Sequence, residues 1–184
     1  MKYYIIKESS KEITVKDKYR LLEKIKSFMR KDKYILKMFE ENNKSIDMID
    51  EIPIDFDSEL EVSAQTINGA VKLNEKLAEK PMSIIMRYVV HELTHVFQHM
   101  DGLKDGGSKK NYLDNIDEVE AFKNQIEFDA NINGIDEAVE YTKKLIKFHK
   151  YPKGKREDKL IELTERLDDA ENNTNKSRGK RNGS

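Results

Sequence analysis

The sequence predicts an α+β fold in which a small sheet with one β-hairpin packs against long helices, followed by a helical C-terminal part. Two observations lead to this prediction. Apolar residues recur every three to four positions through several long segments, which is typical of amphipathic helices. Asn68-Gly69 separates two short runs of alternating polar and apolar residues, which is a strong signal of a two-residue hairpin turn.

Length and composition narrow the class of protein. The chain has 184 residues, and we expect one ordinary domain over residues 1–171 and a disordered, basic tail over residues 172–184, which lack apolar side chains. The absence of cysteine excludes disulfides, a thiol nucleophile and thiolate metal ligands. The net charge of −1 argues against a strongly electrostatic partner such as bulk DNA or an anionic membrane.

The N-terminal part contains short β-prone runs and then a helical pattern. Tyr3–Ile6 and Ile13–Val15 are compatible with a hairpin, although helix and coil compete with it. Apolar residues at helical spacing then extend from Asp17, which is placed to cap the start, to about Glu41. This pattern predicts one long helix, or two helices that meet near residues 30–33.

An acidic stretch runs from Asp47 to Glu61 around Pro53 and contains no basic residue. Such a run would suit a cation site or mimicry of a phosphate backbone. A solvated loop and strand edge explains the same pattern more simply, and we favour it.

Helical patterns dominate the chain after the hairpin. Pro81 stands where the first turn of a helix accepts proline, and the inward stripe of that helix, Met82–Met100, is predicted to consist of Ile85, Val89, Leu93, Val96 and Met100. Three more helices are predicted over 114–131, 136–151 and 157–170, with a mobile surface loop over 104–110.

The Met82–Met100 helix contains His91-Glu92-Leu93-Thr94-His95, an HExxH motif. Residues four apart share one face of a helix, so His91 and His95 can bind one zinc ion while Glu92 faces a bound water. Catalytic zinc usually takes three protein ligands, and without cysteine the third must come from His99, His149 or the acids of the next helix. His99 is disfavoured because a straight helix cannot wrap three successive turns around one ion.

The motif and the segment after it resemble a known family. HELTH followed by a helix with Glu118-Val119-Glu120-Ala121 resembles the gluzincin class of zinc metallopeptidases, and the stretch from Tyr112 to Phe122 is similar to small metallopeptidases encoded by tailed bacteriophages. The resemblance implies a zincin-like fold, one zinc ion per chain held by His91, His95 and Glu118, and Glu92 as general base.

One position departs from the family pattern. Many members have Asp or Asn four residues after the ligating Glu, where it orients a ligand histidine, but Phe122 stands at that position here. Glu120, which is followed four residues later by Asn124, therefore remains an alternative third ligand, although we favour Glu118.

These features predict a zinc-dependent peptidase that hydrolyses peptide bonds through a zinc-activated water, with a narrow range of protein or peptide substrates. Tyr112 is a candidate for stabilising the oxyanion, against the simpler role of a packing side chain. The resemblance also implies that a substrate strand pairs with the sheet edge at Ala70–Asn74. The alternative is a non-catalytic zincin-fold binding or inhibitor protein that acts on a protein partner.

Basic residues cluster over Lys143–Lys159 and in the tail, where they could contact nucleic acid, but acids are interspersed and a solvated surface is favoured. No segment has the length and apolar character of a signal peptide or a membrane span. We therefore expect a cytoplasmic protein without a membrane partner.

Overall fold

A computed structural model describes residues 13–102 and 111–179, with side chains up to residue 167. The chain divides into two compact units, Met1–Asp105 and Gly106–Ser184. The single domain over residues 1–171 stays a prediction. The β-prone run Tyr3–Ile6 and the predicted loop over 104–110 lie outside the described residues.

The first unit combines helices with a small sheet, so the α+β prediction is confirmed. Its elements in chain order are α1 (Val15–Met29), α2 (Lys33–Glu41), α3 (Met48–Glu51), β1 (Ile54–Asp57), β2 (Ala64–Ile67), β3 (Ala70–Asn74), a 3₁₀ turn (Glu75–Glu79) and α4 (Met82–Met100).

Helix α1 begins earlier than the sequence pattern predicts. Thr14 is the N-cap residue: its hydroxyl accepts a hydrogen bond from the backbone N of Asp17 at 3.2 Å and donates to the Asp17 carboxylate at 2.6 Å. Asp17 therefore belongs to the first turn and is not the cap. Because Val15 is helical, the described residues of Ile13–Val15 do not form the alternative strand.

The helical pattern that continues from α1 belongs to two helices and not to one. Asp32 caps α2, since its Oδ1 accepts hydrogen bonds from the backbone N atoms of Tyr34 and Ile35 at 3.0 Å each. The Asp32 side chain supplies the acceptor that the first amides of a helix lack. A new helix therefore begins after residue 32, and the pattern does not form one long helix.

The sheet has the strand order β1-β3-β2, with β1 parallel and β2 antiparallel to the central strand β3. The predicted hairpin is confirmed: Ile67 pairs with Ala70 across the turn. Asn68 and Gly69 have φ values of 51° and 77°, as a type I′ turn requires of both central residues. Since β3 is paired on both sides, the prediction that a substrate strand adds to Ala70–Asn74 is wrong.

Apolar residues of α4 and of the sheet are buried in the first unit. The predicted inward residues of α4 are confirmed at Ile85, Val89, Leu93 and Val96, each at most 1% exposed. Met100 is 47% exposed, because it is the last residue of the helix and has no further turn beside it. The buried residues of the strands are Ile54, Phe56, Val71 and Leu73.

The second unit is helical. It contains a 3₁₀ turn (Tyr112–Asp114), α5 (Ile116–Asn133), α6 (Ile135–Phe148), a 3₁₀ turn (Lys153–Lys155) and α7 (Arg156–Gly179). Gly134, at φ 96°, ends α5 in a conformation that favours glycine. One apolar cluster joins the three helices and includes Leu113, Val119, Phe122, Ile126, Leu145, Ile146, Leu163 and Leu167.

Helix α7 continues to Gly179, past residue 172 where the sequence predicts disorder. The tail lacks apolar residues, but extending an existing helix costs less than nucleating a new one. Residues 180–184 lie outside the described part. None of the helices in the described ranges is long and apolar enough to cross a lipid bilayer.

Candidate metal centre

Helix α4 holds the two histidines of the HExxH motif on one face. His91 is 7% exposed and His95 is partly buried. Their Nε2 atoms lie 3.3 Å apart and their ring centroids 5.0 Å apart. The two imidazoles therefore direct the same ring nitrogen toward one another, as the four-residue spacing predicts.

A neighbour on the same helix contacts the other ring nitrogen of His95. His95 Nδ1 lies 2.8 Å from Oε1 of Gln98. An amide oxygen only accepts hydrogen bonds, so this contact suits the tautomer with the proton on Nδ1, in which Nε2 presents its lone pair toward His91. Gln98 was not identified from the sequence, although its place one turn after a candidate ligand histidine was a signal for it.

The separation of the two Nε2 atoms has the value that a shared ion requires. Two nitrogen ligands at about 2.0–2.1 Å from a tetrahedral zinc ion are about 3.3–3.4 Å apart. The observed 3.3 Å matches this distance. Either a proton or a metal ion can bridge two ring nitrogens at this separation, so the geometry of the pair fits a metal ion.

Among the residues that the structure describes, one group of three side chains could hold a metal ion. It consists of His91, His95 and Glu118, whose ligand atoms all lie within 4.8 Å of one another. Two imidazole nitrogens and one carboxylate oxygen form a common catalytic zinc set that leaves a fourth position open. His99, which is exposed, does not belong to this group, and neither does His149.

The alternative ligand Glu120 has a different partner. Both of its carboxylate oxygens lie 2.7 Å from Nη2 of Arg166, and Nη1 of the same guanidinium donates to Asn124 Oδ1 at 2.6 Å. Glu120 and Asn124 are thus bound together by a side chain of α7. The structure places Glu118, and not Glu120, in the metal group.

The proposed general base, Glu92, is held by the hairpin. Its side chain is 5% exposed, and its Oε2 lies 2.9 Å from the hydroxyl of Thr66 on β2. The same hydroxyl lies 3.0 Å from the backbone carbonyl of Glu92. A buried carboxylate needs such a donor, because burial without a hydrogen bond is costly. No pattern in the sequence indicated Thr66, which is distant from Glu92 along the chain.

Tyr112 and Phe122 belong to an aromatic cluster of the second unit. The ring of Tyr112 stacks on His149 with centroids 5.0 Å apart and an angle of 8° between the planes, and it meets Phe122 edge to face at 6.1 Å. Packing accounts for the position of Tyr112, and its oxyanion role stays a prediction. Phe122 is 3% exposed in the same core. Gln98, and not residue 122, contacts a histidine of the candidate metal group.

Comparisons with known proteins give no information about the function of this chain. No family model matches the chain, and no curated protein or solved structure matches it either. The chemistry of the chain is therefore inferred from its own residues.

Proposed function

We propose that this chain is a zinc-dependent metallopeptidase of the gluzincin type with a zincin-like fold, and that it hydrolyses peptide bonds in protein or peptide substrates. The observation that carries the proposal is the group of His91, His95 and Glu118, next to Glu92 in the motif. Its donor set suits one zinc ion per chain and leaves room for water or a substrate carbonyl.

His91, His95 and Glu118 would hold the ion, and Gln98 keeps His95 in the tautomer that can bind it. A bound zinc ion lowers the pKa of a coordinated water to about 7 and polarises a carbonyl oxygen. The carboxylate of Glu118 would offset part of the positive charge of the ion. The two neutral imidazoles carry no charge and would not offset it.

Glu92 would move the proton in the reaction. Its carboxylate accepts a proton from the attacking water and returns it to the nitrogen of the leaving amine, so that the amine departs neutral. The hydroxyl of Thr66 binds one carboxylate oxygen and thereby limits the orientations of the side chain. The other carboxylate oxygen, Oε1, would accept the proton.

The substrate would pair with β2 in place of β3. Among the described residues, β2 is paired on one side only, and it carries Thr66, the residue that contacts the general base. An extended peptide that adds to the open edge of β2 would gain main-chain hydrogen bonds close to Glu92.

Metal analysis of the purified protein is the first test. We expect about one zinc per chain in the wild type and a loss of bound zinc in His91→Ala, because two remaining ligands do not hold the ion against buffer. His99→Ala is the matched control and should retain zinc, since it removes an exposed histidine of the same helix. Wild-type protein that neither carries nor takes up zinc would refute the proposal.

The second test separates catalysis from binding. Glu92→Gln should keep its zinc but lose cleavage of unfolded casein and of a mixed peptide library by about 100-fold to 10,000-fold, the usual contribution of general base catalysis. If the zinc-loaded wild type cleaves and Glu92→Gln cleaves equally well, Glu92 is not the base. A wild type that binds zinc but cleaves no substrate would favour the alternative of a binding or inhibitor protein.

A further inference from the structure

A buried lysine of α7 contacts the turn that precedes α5, the helix that carries Glu118. Lys159 of α7 is 5% exposed, and its Nζ donates to the backbone carbonyl of Leu113 at 2.9 Å. The same nitrogen lies 3.1 Å from Oδ1 of Asp114 and 2.6 Å from a carboxylate oxygen of Glu162. Lys159 therefore does not belong to the exposed basic surface in which the sequence analysis placed it.

Asp114 is the centre of this hydrogen-bond network. Its Oδ1 accepts from the hydroxyl of Tyr151 at 2.7 Å, and its Oδ2 accepts from the side-chain amide of Asn111 at 3.2 Å. Burial alone would raise the pKa of Asp114, but the hydrogen bonds from Tyr151, Lys159 and Asn111 hold that pKa below its ordinary value. Both charges of the pair are present at neutral pH.

The network is close to Glu118 along the chain. Leu113 and Asp114 end the 3₁₀ turn before α5, and Glu118 lies in the first turn of that helix. On the other side of Glu118, the Arg166 guanidinium of α7 binds Glu120 and Asn124. Contacts from α7 thus hold the backbone carbonyl of Leu113 shortly before the proposed ligand, and the side chains of Glu120 and Asn124 shortly after it.

The ammonium of Lys159 is buried, while its carboxylate partners Asp114 and Glu162 are partly exposed. Burying a lysine ammonium is costly unless it is paired, and an apolar side chain of similar size often stabilises such a position as well or better. Such a pair does define one geometry, because the charges must meet specific partners. The first turn of α5 is the segment whose geometry it defines here.

We propose that Lys159 is a positioning residue for the metal centre, which fixes the start of α5 and through it the carboxylate of Glu118. The proposal rests on the zinc site of the proposed function. It adds that α7, whose described side chains supply no residue of the metal group, is required for full zinc affinity.

A double-mutant cycle for zinc affinity tests this proposal. The affinity of the full-length chain is measured by competition with a chromophoric chelator, so no substrate is needed. Lys159→Met should weaken zinc binding about 10-fold, at the lower end of the effects of residues that support metal ligands. In a Glu118→Gln background the same substitution should have no further effect, because Lys159 acts through the carboxylate that is absent.

Two further variants separate positioning from folding. Lys143→Met removes an exposed lysine that binds Glu140 on α6, and it should leave zinc affinity unchanged. Tyr151→Phe removes one hydrogen bond to Asp114 while keeping Lys159, and it should weaken binding by about 2-fold to 5-fold, with the same dependence on Glu118. It provides the measurement if Lys159→Met does not fold, which circular dichroism of the metal-free protein would show.

Each outcome has a distinct meaning. Equal weakening by Lys159→Met in the wild-type and Glu118→Gln backgrounds would show a general structural effect and overturn the positioning role. Unchanged affinity in folded Lys159→Met, or in Tyr151→Phe if Lys159→Met does not fold, would also overturn it while leaving the zinc site intact. A wild type without zinc affinity would overturn the proposed function itself, and the positioning role with it.

Discussion

The HExxH motif of the first unit and the start of α5 in the second unit are held by different kinds of contact. In the first unit, His95 is oriented by Gln98 of its own helix, and Glu92 by the hydroxyl of Thr66 in the hairpin. In each of these contacts the supporting side chain, Gln98 or Thr66, is uncharged. In the second unit, the start of α5 is fixed by a buried lysine of α7 that binds a carboxylate.

This difference separates the local support of the histidine pair from the long-range support of Glu118. The histidine pair depends on the pitch of one helix, so its geometry forms as soon as α4 forms. The position of Glu118 on α5 depends on ion pairs between α5, its preceding turn and α7, which exist only when the second unit is folded. Substitutions in the two regions should therefore differ in their effects on zinc affinity and on stability.

The largest contrast is expected between Glu118→Gln and Glu120→Gln. Glu118→Gln removes a charged ligand and should weaken zinc binding about 100-fold, whereas Glu120→Gln should leave affinity nearly unchanged and cost about 0.5–1 kcal/mol of unfolding free energy. Chelator competition and urea unfolding measure the two quantities. If Glu120→Gln weakened zinc binding more than Glu118→Gln, the assignment of the third ligand would be reversed.

A smaller effect is expected from Gln98→Leu. Leucine keeps the approximate size of the side chain but cannot accept the Nδ1 proton of His95, so the tautomer that binds zinc is no longer favoured. We expect about 10-fold weaker zinc binding with little change in the unfolding temperature of the metal-free protein. Gln98→Glu, which keeps the acceptor, is the matched control, and equal loss in both variants would contradict the proposed role.

The smallest effect concerns stability and pH in the second unit. Because the folded state lowers the pKa of Asp114, the stabilisation it brings is complete above the ordinary value of about 3.9 and is lost as pH falls through the lower folded value. Asp114→Asn should cost about 1 kcal/mol near pH 7. Urea unfolding of both metal-free proteins should show this difference shrinking below about pH 4. A difference that stays constant with pH would contradict the ionic network.

Local patterns in the sequence were enough to predict much of the fold. The hairpin follows from Asn68-Gly69, and the buried face of α4 follows from residues spaced at the period of a helix. The approach of His91 and His95 follows from their four-residue spacing. These features depend on neighbours within one or two turns, so a single sequence contains the information.

Features that depend on distant residues could not be predicted. The central position of β3 is set by its parallel pairing with β1, which no local pattern encodes. Lys159 resembles its exposed neighbours in sequence, and only the fold of the second unit brings it to Leu113 and Asp114. Likewise, the preference for Glu118 over Glu120 depends on Arg166, far along the chain.

The two outer strands of the sheet also differ in charge, which affects how the protein behaves in concentrated solution. On β1, Ile54 and Phe56 point inward, while the alternating Asp55 and Asp57 line the outer side. Charged side chains along an edge discourage another strand from pairing there and so protect against aggregation. The acidic residues of β1 thus disfavour the pairing of its edge with another strand. On β2 the exposed residues are Gln65 and Ile67, without charge, so self-association of the described sheet would proceed through β2.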